Sequence, residues 1–240
     1  MKDSEPLFNV PGAVLAVLAG LAAIHALRTF LPPETDLWLV YVLAFIPARY
    51  DGLAQDLPGG ETAAVTSFAT HMLVHGDIVH LLLNSAWLLA FGGAIALRVG
   101  SARFLTFAFV CGIAGALTFL FVNPGLATPV VGASGAVSGL MGGAMRFLFS
   151  AIDDGGARRL REAPHAVRLM SLPEALSDRR VLITSAIWFL VNVLAIFGFG
   201  GVDADGRIAW ETHIGGYIAG FLLFGLFDRP APTERQPIQY

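Results

Sequence analysis

The sequence predicts an all-α integral membrane protein, a six-transmembrane-helix bundle with a long interfacial first loop. Three observations predict it. The chain is apolar throughout, with 55% hydrophobic and 14% charged residues and a mean hydropathy of +0.68, whereas a soluble domain carries about 25% charged residues. Six stretches each approach the ~20 apolar residues that a spanning helix needs. The arginines collect on alternate connections between those stretches, as in chains that thread a bilayer.

The first segment runs from about Val10 to Leu31. It exceeds the apolar run of a leader peptide, and Lys2 is offset by Asp3 and Glu5, so it reads as a retained helix. His25 and Arg28 near its end can snorkel to the interface, and Pro32-Pro33 stops it. The connection Pro32 to Thr70 is long. Its apolar piece, Leu37 to Ile46, carries Trp38 and Tyr41 and is too short to span, so it reads as an interfacial or re-entrant element. Asp51 to Glu61 reads as a loop. The second segment runs from about His71 to Leu97, the third from Phe104 to Val122, and the fourth from Gly132 to Ile152. The fifth runs from Val181 to Gly200 and the sixth from Trp210 to Phe227. The membrane domain is thus expected over 10–228, between short tails at 1–9 and 229–240, the latter including a disordered stretch from Pro230 to Tyr240.

Orientation follows from charge. Arg158, Arg159, Arg161, Arg168, Arg179 and Arg180 lie between segments four and five, Arg98 and Arg103 between two and three, and Arg229 and Arg235 after six. The other side offers mainly Arg49 and Arg207. The positive-inside rule puts the arginine-rich side and both termini in the cytoplasm. The starts of segments two, four and six then share the outer half of the membrane.

Composition also excludes functions. Net charge is only -3 and no basic patch interleaves with aromatics, so nucleic acid is not a partner. The single cysteine, Cys111, cannot form an intrachain disulfide and reads as a small core residue.

The three outward-facing starts carry polar groups that hydrocarbon should exclude. Ser134 opens segment four in Val131-Gly132-Ala133-Ser134-Gly135. A helix N-terminus presents unpaired N–H groups and partial positive charge, which suit an oxyanion. Gly135 leaves the serine approachable. Ser138, one turn on, suits a packing role. His213 opens segment six in His213-x-x-Gly216-x-x-x-Gly220, one helical face whose glycines favour close packing, best against the glycine-rich face of segment four. That packing would bring the imidazole to Ser134 as general base. His80 and Asn84, at i and i+4 on segment two, are suitable oxyanion-hole donors. His71 and His75 precede them and would hold the helix start or loop. Glu211, Asp203 and Asp205 are the nearest carboxylates, and none is an obvious third member, so the expectation is a Ser134–His213 dyad.

Taken together these motifs resemble the rhomboid family of intramembrane serine proteases. The carrying residues are Thr70-His71-Met72-Leu73-Val74-His75-Gly76 leading to His80-x-x-x-Asn84, then Phe91-Gly92, Gly100, Gly132-Ala133-Ser134-Gly135 and His213-x-x-Gly216-x-x-x-Gly220. The resemblance covers about Phe68 to Phe227. It implies Ser134 as nucleophile, His213 as base, and an oxyanion hole of His80, Asn84 and the Ser134 backbone N–H. It implies a water-filled cavity open to the outer face, transmembrane protein substrates cut near the outer membrane boundary, and neither metal nor cofactor. The expected setting is the lipid bilayer of a bacterial plasma membrane. The chain departs from the family pattern in lacking the Trp-Arg pair before Phe68, where Ala63 to Thr66 stand. Ala96 replaces an acidic residue, Ser138 an aromatic that packs on the imidazole, and Thr212 a small residue.

Two other functions compete. A non-catalytic rhomboid-like scaffold binding transmembrane clients usually lacks the Ser or His, and both are present. A transporter or permease joining His71, His75, His80 and His213 as metal ligands finds no Cys, Asp or Glu placed to complete the set, and no inverted repeat is visible.

Overall fold

The computed structural model describes residues 10–196 and 209–228. The expected tails at 1–9 and 229–240, the end of the fifth segment, and Asp203, Asp205, Arg207, Arg229 and Arg235 lie outside the described residues. Those described are mostly helical, and their one extended pairing is a single antiparallel bridge between Phe45 and Val130.

Helix α1 (Gly12–Arg28) ends before the proline pair, and α2 (Pro33–Leu43) starts on it with Pro33 in its first turn. Proline is suited to that position because the missing N–H has no partner there anyway. The Arg28 guanidinium ties this corner together. It donates to both oxygens of Asp36 at 2.7 and 3.1 Å and to the carbonyl of His75 at 2.7 Å. A 3-10 turn, Pro47–Tyr50, follows. Turns occupy residues 51–59, where the sequence predicts a loop, and helix α3 (Gly60–Thr70) fills the end of the connection.

The second segment begins later than its hydropathy suggests. His71 lies in a 3-10 turn, His71–Leu73, and His75 in the loop after it. Helix α4 (Ile78–Trp87) starts only where the Asp77 carboxylate accepts from the backbone N–H of Val79 and His80 at 2.7 and 2.9 Å. This N-cap satisfies two donors that have no partner within the helix, and polar capping chemistry outweighs the apolar run as the determinant of the boundary. A π-type turn at Leu88–Gly92 joins α4 to α5 (Gly93–Val99). Among the described residues, the resulting rod, Ile78–Val99, and α6 (Ser101–Val122) are the two helices long and apolar enough to cross a membrane.

The fourth segment is broken. Helix α7 (Ser134–Ala144) stops before Met145, and α8 (Leu148–Asp153) resumes after it. At the break the buried Arg146 donates to the carbonyl of Met170 through Nε and Nη2, at 2.9 and 2.7 Å, and to that of Phe221 at 3.0 Å. A buried cation requires such partners. The arginine-rich connection contains α9 (Gly156–Glu162) and α10 (Leu172–Ala175), the latter opened by a Ser171–Glu174 capping box. Helices α11 (Arg179–Ile196) and α12 (Trp210–Phe227) complete the described residues.

Helix α7 is central. Every residue from Gly135 to Ala144 is buried, as expected of a helix enclosed on all sides, and its chief neighbours are α6 and α12. Glycines make this possible. A β-carbon on Gly216 or Gly220 would run into the carbonyl oxygen of Gly135 or Gly139, and one on Gly142 would lie 2.9 Å from the Phe221 nitrogen. The two backbones therefore touch. Helix α11, by contrast, leaves Leu182, Ile183, Ile187, Leu190 and Val191 exposed, an apolar face suited to lipid rather than water.

Candidate active site

The chain reaches Ser134 through a loop held from three sides. Backbone bonds of 2.9 Å run both ways between Phe45 and Val130, and the Gly132 N–H donates to the His71 carbonyl at 2.9 Å. The Ala133 N–H points to His75 Nε2 at 3.4 Å. His71 and His75 are thus buried supports of this loop, and the His71 ring is itself anchored through Nδ1 to the Ser67 carbonyl at 2.8 Å. Gly132 has φ +111°, a backbone conformation that side chains disfavour. A β-carbon there would also sit 2.5 Å from His80 Nε2. The sequence folds this way because glycine alone meets both demands. Ser134 follows as the first residue of α7, half-buried, with its own N–H at the open end of the helix.

His80, in the first turn of α4, is therefore stacked over the residue two before Ser134. Its ring lies edge-on to His75, centroids 5.1 Å apart. Asn84, one turn further, is buried and donates one amide N–H to the His80 carbonyl at 3.1 Å. Its second amide N–H remains available.

His213 lies in the first turn of α12 and is half-buried. The preceding residue, Thr212, packs its carbonyl on two helices. A β-carbon on Gly135 would meet it at 3.4 Å, and one on Gly115 at 2.6 Å. The chain neighbours of Ser134 and of His213 are thus in contact. No hydrogen bond joins Ser134 to His213 directly; catalytic hydrogen bonds are often long before substrate arrives. The ring instead bonds through Nδ1 to Asn192 Oδ1 on α11, at 2.6 Å. The Glu211 carboxylate accepts from Asn123 Nδ2 at 3.0 Å.

The arrangement brings His80, the Ser134 turn and the His213 turn to one end of the bundle, with Asn84 one turn below. It offers a hydroxyl, an imidazole whose Nδ1 is engaged, and amide and ring donors, the components of acyl transfer. Among the described residues no group of three or more His, Cys, Asp or Glu is placed to hold a metal ion. Asn192 is the residue that the sequence reading does not single out, and its signal there is a lone amide in an apolar helix.

A family profile for the Rhomboid domain matches residues 62–229. Among characterised proteins, the chain is 28% identical over 162 residues to the "Rhomboid protease GluP" of Bacillus subtilis, covering 67% of this chain and 26% of that protein. It is 30% identical over 159 residues to "RHOMBOID-like protein 4" of Arabidopsis thaliana, covering 65% of this chain and 33% of that one. The matches therefore span about a quarter and a third of those relatives' lengths.

Proposed function

The chain belongs to the rhomboid family of membrane proteins, and from that premise we propose that it is an intramembrane serine endopeptidase with Ser134 as nucleophile and His213 as general base. The observation that carries this reading is the glycine seam of α7 and α12, which puts Gly135 against Thr212, the immediate neighbours of the two reacting residues.

In this mechanism His213 Nε2 takes the Ser134 Oγ proton as Oγ bonds to the carbonyl carbon of the scissile peptide. The carbonyl electron pair moves to its oxygen. His80, the free Asn84 N–H and the Ser134 backbone N–H receive that oxyanion. The C–N bond then breaks and the imidazolium proton goes to the leaving amine. Water, activated by the same imidazole, releases the acyl group from Ser134.

The substrates are transmembrane proteins, cut near the outer membrane boundary. The chain crosses the bilayer six times with its arginine-rich side in the cytoplasm, in a bacterial plasma membrane. A carbonyl inside a helix is occupied by its own hydrogen bond, so Pro or Gly near the cut should raise the rate.

The test is cleavage of a tagged model transmembrane substrate by purified protein in detergent. Ser134→Ala and His213→Ala should each lose at least about 10²-fold, the scale of losing a reacting group or an oxyanion donor. Equal cleavage by all three proteins sinks the reading. So does absence of both cleavage and fluorophosphonate labelling of wild type, which would favour the scaffold.

A further inference from the structure

Resting on the reading of Ser134 and His213 as nucleophile and base, we propose that Asn192 of α11 is a positioning residue that fixes the tautomer and direction of the His213 imidazole. The residue is 6% exposed and lies in the α11–α12 seam. Its Oδ1 is 2.6 Å from His213 Nδ1, and its Nδ2 donates to the Trp188 carbonyl at 2.9 Å.

The second bond decides the first. An amide carries donors on one side and an acceptor on the other. Turning the Asn192 amide over would set Oδ1 against the Trp188 carbonyl, two acceptors with no proton between them. The amide is therefore oriented with oxygen toward His213, and Nδ1 must carry the proton. A neutral ring protonated at Nδ1 has its lone pair on Nε2. That leaves Nε2 as the nitrogen able to accept the Ser134 Oγ proton. When it does so, both ring nitrogens hold protons, and the Nδ1–H···Oδ1 bond becomes charge-assisted and stronger. A neutral amide thus does here what a carboxylate does in a three-member constellation.

The bland alternative is that Asn192 only fastens α11 to α12, since polar side chains commonly join membrane helices. The seam has other fasteners. Ser185 bonds to the Tyr217 hydroxyl, and Trp188 stacks on the Tyr217 ring with centroids 4.7 Å apart. Residues 185, 188 and 192 share one helical face, and Asn192 is the member at the level of the reacting turn. Ser185 therefore serves as the control for fastening alone.

The experiment uses the full chain in detergent. It follows the rate of fluorophosphonate labelling at Ser134, with kcat and KM on a model transmembrane substrate, for wild type, Ser134→Ala, Asn192→Leu, Asn192→Asp and Ser185→Ala. Asn192→Leu should slow labelling and lower kcat by about 10- to 10²-fold, the cost of misplacing a reacting group by ~1 Å, with KM unchanged. Asn192→Asp keeps an acceptor oxygen and should recover most of the loss. Ser185→Ala should lower the unfolding temperature without slowing labelling. Equal slowing in Ser185→Ala and Asn192→Leu, or no recovery in Asn192→Asp, overturns the positioning role and leaves the protease reading standing. Unlabelled wild type overturns both.

Discussion

The Cα of Gly216 lies against the carbonyl oxygen of Gly135 so closely that no β-carbon fits between them. Four residues on, Gly220 stands in the same relation to Gly139. Two helices meet backbone to backbone, and the turns that carry Ser134 and His213 lie at one end of that contact. A methyl at either glycine must push α12 away from α7. Overpacking a close contact costs about 1–3 kcal/mol. Gly216→Ala and Gly220→Ala should therefore lower the unfolding temperature, and Gly216→Ala, being nearer the site, should also slow fluorophosphonate labelling. Unchanged labelling in Gly216→Ala would mean that the seam does not set the Ser134–His213 geometry.

Gly132→Ala faces two penalties at once, the positive φ and the His80 ring. The first costs roughly 1–3 kcal/mol. Pairing Gly132→Ala with His80→Ala removes only the second. The double variant should regain part of the lost thermal stability but, under the proposed function, none of the lost peptidase activity. Comparing the unfolding temperatures of the two single variants and the double checks this.

Arg98 and Asp228 form a buried ion pair, with Nε and Nη2 each 2.8 Å from a carboxylate oxygen and side chains 3% and 7% exposed. Arg98 also donates to the Pro164 and Val167 carbonyls. The pair locks α5 to the end of α12 and to the arginine-rich connection. Removing one partner leaves a buried charge and costs about 3–5 kcal/mol. Asp228→Asn should thus be severe, and replacing both residues by leucine should cost less than the two single changes summed. A double-mutant cycle of thermal unfolding measures it.

Acid should loosen the start of α11 first. Arg180 bonds to Asp153 at 2.8 and 3.0 Å and to Asp178 at 3.3 Å, outside the spanning segments. Hydrogen bonds from that guanidinium hold both carboxyls below their ordinary value. A depressed carboxylate contributes stability above its unfolded pKa of about 3.9 and loses it as pH falls through the folded value. Protease nicking near Asp178 should therefore increase below about pH 4. In Asp153→Asn with Asp178→Asn the nicking should be pH-independent over that range. High salt should blunt the effect, since the groups are exposed.

Local chemistry made much of this protein legible in advance. Apolar runs and the proline pair marked the helices, and the span of α12, Trp210 to Phe227, coincides with the segment read from hydropathy. The Gly135–Gly139 and Gly216–Gly220 spacings named the two faces that meet. These signals are legible because helix formation, partition into lipid and a 3.6-residue period depend only on neighbours along the chain. Other features were decided by tertiary structure. Asp77 rather than hydropathy starts α4, so His71 and His75 leave the helix and brace the loop before Ser134. Arg146 interrupts the fourth segment because carbonyls of Met170 and Phe221, distant in sequence, gather around it. Glu211, two residues from His213, is drawn to Asn123, and Asn192 takes the imidazole instead. A side chain's partner across a helix seam depends on the register and rotation of both helices. Those are set by close packing of the whole bundle, which no window of the sequence contains.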